Sequence, residues 1–338
     1  MEREPLNRQE PDGPRGDAVF LTGASGFVGG HVLRALLDAG YRVHALVRPG
    51  NRLRLEPGVT PVTGDLTATG ILVRHLDACR YLVHVAARYT FAPAQREAIH
   101  KINVQGTRGL LEAARIAGIE KAVVTSSSAT VGPARNGRPA TEEHWALDHD
   151  SAGYHRSKIL QERVALAAQL PVVLVLPTMP IGARDWKPTP TGKLIVDFMR
   201  GRIFAFLDGG MNVVPVEDAA QAHVLALQHG EPGERYLAGG ENLTMADLWE
   251  RLATICNRKA PTRRIPYSVA LGLGWADELR CRSLSGDPLV PLEGVRMARD
   301  TMWASSLKAE KELGYRSTPV DAALGRAVNW YRLHGYAN

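Results

Sequence analysis

"TGASGFVGG", residues 22–30, sits between the short apolar run "AVFL" (18–21) and "FVGGHVLRALLDAG" (27–40). The first fits a buried parallel strand; the second carries apolar residues at helical spacing and stops at Gly40. The quoted stretch is therefore a strand-to-helix turn with glycines at 23, 26 and 29. Such glycines let backbone approach a pyrophosphate, whose charge is favoured by the amides that open a helix. The spacing is GxxGxxG rather than GxGxxG. A glycine turn without a ligand is the competing explanation, and the strand–turn–helix context disfavours it. Gly23, Ser25, Gly26, Phe27, Val28 and Gly29 are the expected cofactor contacts here.

Outward from this turn the pattern alternates. Strands are predicted at 42–48, 59–66, 80–87, 121–128 and 171–178; helices at 69–79, 98–118 and from Tyr154 to about 168. Alternation at this spacing implies an α/β fold, a Rossmann-type doubly wound parallel sheet, with ligands at the carboxyl ends of the strands. The dinucleotide-binding part is expected over 17–179, with segments near 213–240 returning to the large sheet. Residues 180–338 should form mainly a smaller, mixed α/β substrate lid, with helices at 193–201, 217–229, 244–257, 305–313 and 319–333. Residues 1–16 are polar and rich in proline and charge, with no apolar core of a secretory signal, and read as a disordered tail.

The 338-residue chain is 45% hydrophobic and 22% charged, which allows a large core. Its net charge of +6 is spread without a long basic run, so an anionic small ligand explains it better than nucleic acid does. Three cysteines without a CxxC suggest neither a disulfide framework nor a zinc site, and a reducing cytoplasm is the default. His144, Asp148, His149 and Asp150 read as a polar loop, and no metal is expected. No apolar stretch reaches the roughly 18 residues of a membrane helix. "YSVALGLGW" (267–275) is expected to be a buried or capping helix; peripheral contact with a membrane surface is its second reading.

Strand two ends at Arg48, with Asn51 and Arg52 close behind and no acid before Glu56. An acid there would bind the ribose 2′-hydroxyl of NAD, whereas arginine accommodates the 2′-phosphate of NADP. NADP(H) is thus preferred, with NAD(H) as the alternative. Asp65 and Leu66, closing strand three, could hold the adenine edge. Strand five ends in "TSSSATV" (125–131), on the same side as the glycines. Tyr154 and Lys158 lie one helical turn apart. A phenol has a pKa of about 10; a neighbouring ammonium should lower it toward working pH, so that Tyr154 moves the proton of a carbonyl/alcohol pair while hydride moves at the nicotinamide.

"TGASGFVGG", "HVAA" (84–87), "NVQGT" (103–107), "SSSATV" (126–131) and "YHRSK" (154–158) together resemble the extended short-chain dehydrogenase/reductase family, from about Ala18 to the C-terminus. The resemblance implies a catalytic triad of Ser128, Tyr154 and Lys158, with Ala86, Ala87, Pro177 and Thr178 beside the cofactor and Asn103 bracing the sheet. "KPTPTGKLIVDFMRG" (187–201), "VPVEDAAQAH" (214–223) and "VPLEGVRMARD" (290–300) resemble the hopanoid-associated sugar epimerase group within it. The implied reaction is hydride transfer at a hydroxyl or carbonyl of a sugar-like or hopanoid-related small molecule. The alternative is an NADPH-dependent ketone or aldehyde reductase of dihydroflavonol-reductase type; a non-catalytic dinucleotide sensor ranks below both, since Tyr154 and Lys158 are both present. Ala129-Thr130 replace the Asp-Glu pair usual in dehydratases, and "GGMNVVPVED" (209–218) lacks the arginine and aromatics that engage a nucleotide sugar in epimerases. Arg88, Tyr89, Lys193 and Arg296 are the candidate substrate contacts. A homodimer through the helices at 98–118 and 154–168 is a family expectation.

Overall fold

The structure, a computed structural model, describes residues 17–50, 57–66, 68–133, 137–146, 153–284, 286 and 288–337. The tail at 1–16, Arg52, and Asp148 to Asp150 of the polar loop lie outside the described residues.

The chain forms strands β1 (Ala18–Thr22), β2 (Arg42–Val47), β3 (Val59–Thr63), β4 (Tyr81–His84), β5 (Lys121–Thr125), β6 (Val172–Pro177), β7 (Met179–Ile181), β8 (Ala205–Leu207), β9 (Gly210–Pro215), β10 (Arg235–Ala238), β11 (Glu241–Thr244) and β12 (Arg263–Ile265). Its helices are α1 (Phe27–Asp38), α2 (Thr69–Leu76), α3 (Arg96–His100), α4 (Thr107–Ile116), α5 (Gly153–Leu166), α6 (Pro190–Met199), α7 (Val216–His229), α8 (Met245–Cys256), α9 (Tyr267–Leu284), α10 (Leu292–Met297), α11 (Leu307–Leu313) and α12 (Val320–Leu333).

Seven strands make one parallel sheet in the order β10-β6-β5-β4-β1-β2-β3. Strand order reverses between β1 and β4, so a crevice opens at their carboxyl ends. Both faces of the sheet are covered, which is why the strands read as continuous apolar runs. Phe20, Leu82, Val124 and Leu174 point to the layer of α2 and α4; Val19, Leu21, Val83, Val123 and Val173 point to that of α1 and α7.

A third core, with Phe198, Trp249, Leu324, Val328 and Tyr331, lies among α6, α8 and α12. Of the segments expected to return to the large sheet, β10 and α7 do. The strand β9 that precedes them does not: it joins β7 and β11 in a separate three-stranded sheet. The expectation for 267–275 is also corrected. It opens α9, an 18-residue helix, and Trp275 is 53% exposed.

Candidate active site

The cofactor end is set by close packing of backbone. Gly23 has φ +83°, and a Cβ there would lie 2.7 Å from the amide nitrogen of Ala86. That contact is between the ends of β1 and β4, so the crevice floor forms only without a side chain at position 23. A Cβ on Gly29 would overlap the carbonyl oxygen of Gly23. Gly26 donates its N–H to that carbonyl at 2.9 Å. Ser25 and Gly26 are exposed at the mouth of the turn, and Phe27 and Val28 are half-buried. No side chain caps α1 and its first turn carries no acid. The first-turn amides thus face the crevice with no anionic competitor, as a pyrophosphate requires.

The rest of the expected cofactor set lies along the same carboxyl edge. Arg48 is exposed just beyond β2, and Asp65 and Leu66 follow β3. Ala86 donates its N–H to the Thr22 hydroxyl at 3.2 Å, and Ala87 follows it. Pro177 ends β6, and the Thr178 hydroxyl donates to Asn212 Oδ1 at 2.8 Å.

Lys158 is almost fully buried in α5; its ammonium donates to the Thr125 carbonyl at 2.7 Å and to Gln161 Oε1 at 2.5 Å. Burial lowers its pKa to about 7. Tyr154 stands one turn earlier, half-buried. The sequence led us to expect a depressed phenol pKa; the structure does the opposite. Burial is the largest cause and raises it above the ordinary 10.0, the Tyr89 hydroxyl pushes the same way, and the Ser127 side chain opposes them.

Ser127, whose side chain acts on the phenol's pKa, starts the turn after β5 and accepts the Ala129 N–H at 3.2 Å. Ser128 instead lines a small hollow with Val131, Gly132, Ala140, Met302, Trp303 and Ala304. Three consecutive serines carry no periodic signal that says which one the turn aims inward.

Asn103 braces a loop and a helix rather than a strand of the sheet. It lies in a π-helical turn (Lys101–Gly106) joining α3 to α4. Its amide donates to the Arg88 carbonyl at 3.1 Å and to Ser157 Oγ at 2.9 Å, and its Oδ1 accepts the Arg88 N–H at 2.7 Å. The loop leaving β4 is thereby pinned to the catalytic helix. A second brace lies behind the serines. Arg235 of β10 pairs with the buried Glu162 at 2.6 Å, and Ser126 donates to the same carboxylate.

Glu293 is a site residue that the sequence reading did not single out. It comes from α10 and reaches the start of α5, where Oε1 accepts the His155 N–H at 2.6 Å and Oε2 the Tyr154 N–H at 3.3 Å. A Cβ at position 153 would collide with this carboxylate, which explains Gly153. Burial raises the Glu293 pKa to about 7 despite those two N–H groups and Arg96, with Glu278 adding to the rise.

The candidate substrate residues separate. Tyr89 packs on Tyr154, ring centroids 4.4 Å apart, and Phe91 meets Tyr89 edge-on at 5.6 Å. Arg88 is fixed beside them through its backbone. Lys193 is not gathered into this group: it is exposed and pairs with Asp197 at 2.6 Å. Arg296 lies with its guanidinium 5.2 Å from the Trp275 ring. Asn212, within the stretch weighed for nucleotide binding, is buried and spends its amide on Gly240, Asn242 and Ala304.

Residues 19–239 match the NAD dependent epimerase/dehydratase family. The chain is 39% identical over 331 residues to a Synechocystis protein provisionally named a dihydroflavonol 4-reductase, covering 95% of this chain and 96% of that one. It is 32% identical to the sterol demethylase protein B of Methylococcus capsulatus, over 94% and 99% of the two chains. The crystal structure of gox2253 superposes with a TM-score of 0.85 at 37% identity, covering 95% and 100%. PA4631, a nucleoside-diphosphate-sugar epimerase from Pseudomonas aeruginosa, superposes with 0.81 at 26%, covering 95% and 99%. The chain belongs to the NAD dependent epimerase/dehydratase family and is an NAD(P)-dependent enzyme of the extended short-chain dehydrogenase/reductase type.

Proposed function

We propose that this family member is an NADP(H)-dependent oxidoreductase working on a ketone/secondary-alcohol pair of an apolar, polycyclic small molecule. One observation carries the reading: the proton-bearing phenol of Tyr154, half-buried, packs on Tyr89, which Phe91 meets edge-on, and its pKa is raised. A phenol that stays protonated is an acid, and carbonyl reduction needs an acid at the oxygen. The nicotinamide, when bound, supplies or accepts the hydride. Tyr154 gives its proton to the oxygen as the carbonyl becomes an alcohol, and takes it back in the reverse direction. Ser127 holds the phenol, and through it the oxygen, in line. Lys158, fixed by the Thr125 carbonyl and Gln161, brings its amino group beside the crevice and carries its positive charge below about pH 7.

The glycine turn with its uncapped α1 amides suits the pyrophosphate, and Arg48 suits a 2′-phosphate. A nucleotide sugar fits less well, because the stretch 209–215 offers one polar side chain, Asn212, and its amide is already committed. The names of the two relatives, a dihydroflavonol reductase and a sterol demethylase component, agree with a flat polycyclic substrate; a hopanoid-related one belongs to the same chemical class. A reducing cytoplasm, in which its three free cysteines stay as thiols, is the compartment that fits this reading.

The test has two parts. Nucleotide released by denaturing the freshly purified protein is identified by mass spectrometry. NADPH consumption is then followed with a panel of cyclic ketones and, in parallel, UDP-sugar epimerisation is assayed. Ketone-dependent NADPH turnover that Tyr154→Phe abolishes is expected. Stoichiometric, dialysis-resistant NAD with sugar epimerisation would refute the reading.

A further inference from the structure

Helix α9 is built inside out. Val269, Leu273, Trp275 and Leu279 are between 50% and 67% exposed, while its acids Asp277 and Glu278 are buried. A helix on the surface of a soluble domain has the reverse polarity. The buried acids are neutralised internally. Asp277 accepts from Arg280 Nε and from the Val290 N–H, each at 2.8 Å; Glu278 accepts from Arg282 at 2.5 Å and Arg96 at 3.0 Å.

Residues 265–276 contain no charge, and arginines flank them: Arg263 and Arg264 on β12, Arg280 and Arg282 near the end of α9. Arg263, Arg264 and Arg282 are exposed; Arg264 also meets Asp208 at 3.4 Å, and Arg280 and Arg282 balance the buried acids, so the surplus positive charge of the face sits at Arg263 and Arg264. Phe204, 76% exposed, precedes β8, which pairs with β12. Among the described residues no helix is long and apolar enough to cross a membrane.

We propose that the outer face of α9 docks in the plane of an anionic lipid surface. An apolar face flanked by cations, with its acids turned inward, matches acyl chains bordered by phosphate headgroups. A second copy fits poorly, because a twofold contact through one patch would set these arginines against one another. The consequence for the enzyme is direct. Helix α10 packs under α9 and carries Glu293 to the Tyr154 helix, so docking brings the crevice to the bilayer edge.

The full chain is sedimented with phosphatidylcholine vesicles, with and without phosphatidylglycerol. Binding to the anionic vesicles is expected, about tenfold or more weaker without phosphatidylglycerol, and reduced by salt. The double variant Leu273→Glu/Leu279→Glu should lose about tenfold or more of this binding while keeping its melting temperature and its NADPH affinity. Arg263→Glu/Arg264→Glu should lose it at constant apolar surface. Failure of the wild-type chain to bind anionic vesicles, or binding indifferent to both variants, overturns the proposal. So does a solution dimer by light scattering that Leu273→Glu/Leu279→Glu converts to monomer, which would assign the face to a second copy.

Discussion

Replacing Glu293 by glutamine should stabilise the protein at high pH and impair it as a catalyst. The folded chain holds the Glu293 proton to about pH 7, whereas an unfolded chain releases it near the ordinary 4.5. The group's folded pKa is raised, so between those values the native state binds more protons. Stability then falls as pH climbs through that window and stays reduced above it. At 1.36 kcal/mol per pKa unit the full difference is on the order of 3 kcal/mol, an upper figure because the carboxyl is only partly shielded. For a 338-residue chain the unfolding entropy is about 0.7 kcal/mol per K, so the corresponding change in melting temperature is about 4 °C.

Glutamine keeps the shape and one acceptor but cannot ionise. Wild type and Glu293→Gln should therefore melt within about 1 °C of each other at pH 5, and the variant about 3–4 °C higher at pH 9. Catalysis should move the other way. Glutamine accepts only one of the two N–H groups at the start of α5, and the freed helix end bears Tyr154. A loss of about 1–2 kcal/mol of positioning corresponds to about a 5- to 30-fold drop in kcat with little change in the KM for cofactor. Melting by differential scanning fluorimetry across pH 5–9 is the assay. Parallel pH profiles for the two proteins would refute the linkage and with it the burial of an ionisable Glu293 against the catalytic helix.

Ser127→Ala should lower kcat by about 10- to 100-fold through loss of one hydrogen bond to the phenol, with Ser128→Ala within about threefold of wild type; the reverse order in steady-state kinetics would restore Ser128 to the triad. Arg48→Asp should raise the KM for NADPH by about tenfold or more while leaving that for NADH near its starting value, and equal effects on both would remove Arg48 from the 2′-phosphate site. Arg235→Met strands the buried Glu162 carboxylate and should cost roughly 3–5 kcal/mol, which the double variant Arg235→Met/Glu162→Met should largely recover. Denaturant titration reads both, and a single variant as stable as wild type would mean that the pair does not brace the serine turn.

The sequence by itself determined the large sheet and its ligand edge. Apolar runs alternating with helical periodicity admit few arrangements once crossovers are right-handed, and the glycine turn after β1 says which edge binds an anion. It also placed Tyr154 and Lys158 on one helical face, because spacing within a helix is local. Tertiary structure decided what depends on distant partners. Which of three serines meets the phenol depends on how the turn after β5 packs against α5. The direction of the Tyr154 pKa depends on burial under Tyr89, which comes from the loop after β4. Glu293 lies 139 positions beyond Tyr154, and no local pattern links a lid carboxylate to the first amides of the catalytic helix. Helix α9 is the clearest case: apolar composition predicted burial, yet only the packing of Asp277 and Glu278 onto their arginines turned the leucines outward.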